Sequence, residues 1–216
     1  MPTVIAIDGA AGSGKSTLAW ALAAELELPY VNTGLMYRVV ALKAHRAGVA
    51  PDDGEALADL ARETRFELDS NVQPPELTID GEPPVAELST PEVESSVSAV
   101  ARHPQVRAVL RDEQRRLAAG GAVMEGRDIG TVVAPDAELK LFLQANPDER
   151  ADRRALERED DRSRTAEALE ARDELDARTN PLVPALDAVV LDTSQTRAGE
   201  VLERALALVR ERGIGT

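Results

Sequence analysis

The stretch Gly9-Ala10-Ala11-Gly12-Ser13-Gly14-Lys15-Ser16 decides how this chain is read. It satisfies G-x-x-x-x-G-K-[ST] at every fixed position. The residues before it, Thr3 to Ile7, form an apolar, mostly β-branched run that predicts a buried strand. After it, Leu18, Leu22 and Leu26 recur at helical spacing and predict a helix over Ser16 to Leu26. A glycine-rich loop between a strand and a helix turns several backbone N–H groups toward one anion, and the helix start adds its positive dipole end. Lys15 supplies a point charge for the β- and γ-phosphates of a nucleoside triphosphate, and the Ser16 hydroxyl suits a Mg²⁺ ligand. The expected nucleotide-binding set is Gly9, Ala10, Ala11, Gly12, Ser13, Gly14, Lys15, Ser16 and Thr17.

Outward from this loop the chain alternates between the two periodicities. Short apolar runs at Leu28–Val31, Ala122–Met124, Leu139–Leu143 and Ala188–Asp192 predict four more strands. Helices are predicted over Met36–Gly48, Pro91–Ala101, Pro104–Ala119 and Ala198–Arg212, and through the charge-dense stretch Pro147–Asp176. Between Arg62 and Pro84 the pattern alternates and is broken by Pro74-Pro75, Asp80-Gly81 and Pro83-Pro84, which predicts a small β-hairpin excursion. Trp20 lies off the leucine stripe of its helix and is given no role. Strands alternating with helices across short turns predict an α/β fold, a five-stranded parallel sheet covered on both faces.

Composition narrows the chemistry. The 216 residues carry a formal net charge of −14, a poor match to sequence-independent nucleic-acid binding, which depends on phosphate neutralisation. The same field repels an anionic small molecule at long range, so a site for phosphate must be locally basic. Aromatic residues make up 2% of the chain, so the core is expected to be built of Ala, Leu and Val. With no cysteine, disulfides and thiolate zinc sites are excluded. No basic leader precedes the first apolar run and no apolar stretch is long enough for a membrane span, which makes a cytoplasmic location the expectation.

The phosphate loop fixes a nucleotide but not a reaction. A kinase passes the γ-phosphoryl group to an acceptor, whereas a switch or motor hydrolyses or senses the nucleotide. The N-K-x-D base-reading motif of GTP switches is absent. A kinase needs a second anion site, and arginines suit one because a guanidinium forks onto phosphate oxygens. Arg127 follows a predicted strand's C-terminal end, where α/β sheets bind ligands. Arg38 alone reads equally as a surface charge of its helix, and Asp128 alone as a carboxylate capping a turn.

Several segments together resemble the bacterial cytidylate kinases. Asn32-Thr33-Gly34-Leu35-Met36-Tyr37-Arg38 is similar to the family's (D/S)-(S/T)-G-x-x-Y-R. Ser98 to Arg107 resembles its S-x-x-A…V-R stretch, and Gly126-Arg127-Asp128-Ile129-Gly130-Thr131-Val132-Val133 its G-R-D-x-G-T-V-V. Ile79-Asp80-Gly81-Glu82 and Thr90-Pro91-Glu92-Val93 look like its inserted monophosphate-binding domain. The resemblance covers nearly the whole chain and implies a nucleoside monophosphate kinase with a P-loop core, transferring phosphoryl from ATP to CMP and dCMP with Mg²⁺.

It further implies a core at 1–48, 91–146 and 180–216, a β-rich acceptor insert at about 49–90, a helical lid at about 147–179, and a monomer. Lys15, Arg38, Arg127 and Arg172 are expected to act on the phosphates. Thr33, Tyr37, Ser98, Arg107, Asp128 and Asp176 are expected to join them around the acceptor. Asp128, Ser98 and Arg107 surround the base by this likeness. A carboxylate matches the N4 amino donor of cytosine and mismatches the O4 acceptor of uracil. Arg153 and Arg154, with Arg150, are expected to reach ATP from the lid. Glu125 stands where the family has an acid at a strand end, expected to hold Mg²⁺ through water, though such an acid is equally read as structural.

The family's second lid arginine, seven residues after the first, is Thr179 here, and its role is carried to Arg178. A one-residue shift turns a side chain by about a quarter turn on a helix. A kinase for another monophosphate such as UMP would share all the phosphate machinery, and a non-catalytic nucleotide-binding protein would share the loop.

Overall fold

A computed structural model describes residues 2–158, 160–179 and 181–214, apart from the side chains of residues 158, 178 and 179. Five parallel strands build the main sheet: β1 (Val4–Gly9), β2 (Tyr30–Asn32), β5 (Ala122–Gly126), β6 (Leu139–Gln144) and β7 (Val189–Asp192). They lie in the order β2-β5-β1-β6-β7, so β1 is central and its C-terminal end opens into the phosphate loop. Register pairs Asp8 of β1 with Gly126 of β5 and with Phe142 of β6, which places the loops after β1 and β5 side by side.

Alternation along the strands feeds two cores. Ile5 and Ile7 of β1, with Val123, Leu139, Leu141 and Leu143, pack on the face covered by α1 (Lys15–Glu25) and α8 (Ala198–Glu211). Ala6, Ala122 and Met124 point to the other face, under α2 (Thr33–Ala47), α4 (Pro91–Ala101) and α5 (Pro104–Leu117). Most of these side chains are fully buried, and each buried Leu or Ile is worth about 1.5–3 kcal/mol of transfer free energy. Leu18 and Leu22 are buried as their spacing predicts, and Trp20 is exposed on α1, donating from its indole to Glu76 Oε1 at 2.7 Å.

The excursion is a two-stranded antiparallel hairpin of β3 (Phe66–Asp69) and β4 (Glu76–Ile79). The helix α3 (Gly54–Glu63) ahead of it is absent from the sequence reading. Its Asp53 side chain accepts from the Ala56 N–H at 3.0 Å as an N-cap, and the helix buries Leu57, Ala58 and Ala61. The helix α2 begins at Thr33, three residues before its expected start, because Asn32 Oδ1 caps the Leu35 N–H at 3.0 Å. It ends at Gly48, in the left-handed region at φ 66°. The charge-dense stretch forms two helices, α6 (Pro147–Arg158) and α7 (Arg162–Thr179). No helix among the described residues is long and apolar enough to cross a membrane.

Candidate active site

A cleft of about 760 Å³ lies at the C-terminal edge of the sheet, lined by the phosphate loop, the start of α2, one face of α4, Arg107 of α5, the turn after β5, and α6 and α7. At its floor the loop takes the shape its glycines allow. Gly12 (φ 75°) and Gly14 (φ 87°) are left-handed, and a Cβ on Gly12 would meet the Arg150 carbonyl oxygen at 2.8 Å. The helix α1 starts with no side-chain cap and no acid in its first turn, which leaves its first N–H groups to an anion.

Lys15 Nζ donates to the Ala10 carbonyl at 3.2 Å. Burial brings its pKa down to about 8 against the pull of Glu125, and Arg127, Arg172 and Arg154 add to the lowering. Ser16, Thr17, Ala11, Gly12 and Gly14 join Lys15 along the cleft. Ser13 is buried with an unpaired hydroxyl. Ala10 faces a separate cavity of about 450 Å³ behind the loop.

Glu125 closes the loop's open side. It is 2% exposed, and its Oε2 accepts from Ser16 Oγ at 2.8 Å while Oε1 accepts from the Tyr30 hydroxyl at 2.5 Å. Burial first, then the charge of Glu125, holds the Tyr30 phenol well above its ordinary pKa, so it stays a donor. A serine hydroxyl beside a carboxylate is a hard-oxygen pair suited to Mg²⁺, an ion that takes one or two protein oxygens and completes its shell with phosphates and water.

The turn after β5 is pinned from two sides. Asp8 accepts the Ile129 and Gly130 N–H groups, both at 2.8 Å, and Arg115 donates to the Val133 and Val132 carbonyls at 2.9 and 2.8 Å. Burial lifts the Asp8 pKa to about 6 in spite of those two N–H bonds. Between these pins the backbone makes a single π turn over Ile129–Val133, and Asp128 sits at its start. Asp128 Oδ2 accepts from Arg107 Nη2 at 2.9 Å, with Tyr37 beside the pair. Burial first, then Asp128, pushes the Tyr37 phenol up to about 12. Ser98 Oγ donates to Asp176 Oδ1 at 2.8 Å, and all these residues line the same cleft. Thr33 also lines it, but its hydroxyl donates to the Glu125 carbonyl at 2.7 Å and so braces the strand end.

The arginines converge between these two ends. Arg127 lies 2.8 Å from Asp176 Oδ2 and 3.7 Å from Asp173 Oδ1. Arg172 is 3.7 Å from Asp176 and 3.8 Å from Glu94, and Arg38 is 3.7 Å from Glu94. Burial, then the neighbouring Arg127, holds the Arg172 pKa below its usual value.

On α6, Arg154 pairs with Glu94 and Glu157, and Arg153 donates to the Thr193 hydroxyl at 3.2 Å and to its carbonyl. Arg150 is engaged by the Ala11 carbonyl at 3.2 Å and by Asp173 at 2.7 Å, which ties the lid to the loop. The role expected of Arg178 lies outside the described residues, since its side chain is not among them. Of residues 49–90, only Ser89 reaches the cleft.

Four residues of this constellation escaped the sequence reading: Asp8, Tyr30, Glu94 and Asp173. Glu94 carried a signal, since it precedes Ser98 by one helical turn on α4 and therefore shares its face. Asp173 stood inside the Arg172-to-Asp176 segment. Nothing local marks Asp8 or Tyr30, whose partners lie about a hundred residues away.

The family model for cytidylate kinase matches residues 5–211. A cytidylate kinase of Desulfitobacterium hafniense is 43% identical over 216 residues, covering 96% of this chain and 93% of the relative. One from Pelotomaculum thermopropionicum is 45% identical over 214 residues, covering 95% of both chains. Among solved structures, a gluconokinase from Sinorhizobium meliloti superposes with a TM-score of 0.52 at 17% identity, covering 98% of this chain and 94% of the other, a likeness of fold alone.

Proposed function

The chain belongs to the cytidylate kinase family, and from that membership we propose that its cleft moves the γ-phosphoryl group of ATP onto CMP and dCMP. The observation that carries the residue assignments is that one cleft is lined by Lys15 of the phosphate loop, by the Arg107–Asp128 pair, and by Arg38, Arg127 and Arg172. The triphosphate lies in the loop with its γ-phosphate beside Lys15. The acceptor's phosphate lies among the three arginines, and its base meets Asp128, Arg107 and Ser98. Thr33, Tyr37 and Asp176 complete that wall. Arg178 is assigned a second lid contact to the phosphates by likeness alone.

An oxygen of the acceptor phosphate attacks the γ-phosphorus as the bond to the β–γ bridging oxygen breaks, and ADP leaves with that electron pair. The acceptor oxygen is already anionic, so no general base is required. Lys15 and the arginines bring two anions into line and neutralise the charge that spreads onto the transferring group. Ser16, with Glu125 through water, would hold Mg²⁺, which supplies further neutralisation of the β- and γ-phosphates. Arg153 and Arg154 carry the lid residues 147–179 over ATP and exclude water, while residues 49–90 back the acceptor side. On this reading the protein works as a monomer in the cytoplasm, and size-exclusion chromatography with light scattering checks the first part.

The deciding experiment is ADP release from ATP and Mg²⁺ with CMP, dCMP, UMP, AMP and GMP in turn. Turnover led by CMP and dCMP supports the whole assignment. Turnover led by another monophosphate keeps the phosphate machinery and discards the base pocket. Binding of ATP with no acceptor-dependent ADP rejects the transfer itself.

A further inference from the structure

Glu94 stands at the centre of the arginine cluster. From the first turns of α4, its Oε1 accepts a short hydrogen bond from Arg154 of α6 and lies 3.7 Å from Arg38 Nη1 of α2, while its Oε2 lies 3.8 Å from Arg172 Nη1 of α7. The carboxylate side chain is 11% exposed, less than any of the three arginines. One anion therefore gathers guanidinium groups from three separate helices, and two of those helices belong to the lid. A phosphate has the same preference for converging forked donors, with more charge and one more oxygen.

We propose that Glu94 is a positioning residue for the acceptor phosphate: its carboxylate holds Arg38, Arg154 and Arg172 around one point until the phosphate takes its place there. This rests on the acceptor site described above, which supplies Arg38 and Arg172 and to which the proposal adds Arg154 from the lid. Without Glu94, Arg154 keeps Glu157 and Arg172 keeps Asp176, but the carboxylate that joins α2, α6 and α7 at one point is lost and the three guanidiniums move apart. With it they stay convergent, and the acceptor meets a preassembled cradle but must displace a competing charge. Glu94 thus trades acceptor affinity for order, and its removal leaves a cluster that takes any compact dianion more readily.

The test compares wild type with Glu94→Gln in three measurements: KM for CMP, inhibition by inorganic phosphate, and the thermal midpoint in phosphate against chloride at matched ionic strength. In the variant, KM for CMP falls about tenfold and phosphate inhibits about tenfold more strongly, the scale set by one unit charge a few ångströms away in a partly exposed site. Its thermal midpoint is lower in chloride and rises more in phosphate than that of wild type. A KM for CMP that is unchanged or higher, with a wild-type response to phosphate, overturns the proposal.

If the variant does not fold in chloride, recovery of folding in phosphate supports the proposal, since the added anion then replaces the carboxylate. A variant unfolded in both buffers overturns it. Absence of CMP turnover by wild type fails the acceptor reading and leaves the phosphate-dependent midpoints to judge Glu94 separately.

Discussion

Ser16 Oγ donates to Glu125 Oε2 at 2.8 Å, joining the phosphate loop to the end of β5 across 109 residues of sequence. The other carboxylate oxygen is held by Tyr30 at 2.5 Å, so both of its positions are fixed by hydroxyl donors from different strands and helices. Glu125→Gln replaces one acceptor by an amide donor that faces a hydroxyl. The expected result is a fall in turnover of about 10²-fold and a Mg²⁺ requirement raised about tenfold, the usual cost of losing an oriented ligand support. Tyr30→Phe keeps the carboxylate and loses one orienting bond, and should show the Mg²⁺ shift in weaker form. A Mg²⁺ titration of ADP release checks both.

Lys15→Ala should lower turnover by about 10³-fold or more while the fold persists, because its ammonium is placed for charge that develops in transfer and holds only one loop carbonyl. Its pH behaviour is a sharper test. The folded pKa of about 8 lies below the ordinary 10.5, so between those values the unfolded chain binds a proton that the folded chain lacks. Stability from this group therefore rises with pH through that window. A bound triphosphate pulls the pKa back up, so ATP affinity falls as pH rises past about 8, and binding takes up a proton. Calorimetry near this pH in two buffers of different ionisation enthalpy measures the uptake, which Lys15→Ala abolishes.

Asp128→Ala should raise KM for CMP and narrow the preference over UMP. The substitution removes the acceptor facing the cytosine amino group and strands Arg107, now 2.9 Å from that carboxylate. An unpaired buried polar group costs about 1–3 kcal/mol, which corresponds to about 5- to 150-fold in relative kcat/KM. Steady-state constants with both monophosphates give the ratio, and an unchanged ratio removes Asp128 from the base pocket.

Asp8→Ala should destabilise the protein by about 1–3 kcal/mol, because it takes the side-chain acceptors away from the Ile129 and Gly130 N–H groups. The folded pKa of about 6 lies above the ordinary 3.8, so the stability that Asp8 contributes is greatest on the acid side and is lost as pH rises through 6. Urea denaturation at two pH values, one on each side of 6, should show the advantage of wild type over the variant shrinking at the higher pH.

The sequence revealed the parts of this molecule that local rules govern. Lys15 and Ser16 stood in a motif whose spacing has one mechanical use, and Leu18 and Leu22 announced the buried face of α1. Arg127 stood at the C-terminal end of a predicted strand, and the likeness of its segment added a role for it and for Asp128. The helix α3 was hidden because it is short and lies between the helix ending at Gly48 and the hairpin excursion, a span given no element, where the signal was Asp53 capping the Ala56 N–H. The roles of Asp8 and Tyr30 were hidden for a different reason. Each takes its meaning from groups on other elements, and neither periodicity nor composition encodes which distant carboxylate or backbone N–H will arrive beside it.

The strand order has a consequence for how the protein comes to exist. The strands β1 and β2 are never neighbours, because β5 lies between them, and β1 registers with β5 through Val4↔Ala122 and its successors. While a ribosome is still extending the chain, the first two strands and the phosphate loop are already outside, yet they have no sheet to join until residues 122–126 follow them out. About half of the polypeptide must therefore wait with apolar edges exposed, which makes this stretch of synthesis the natural moment for chaperone capture.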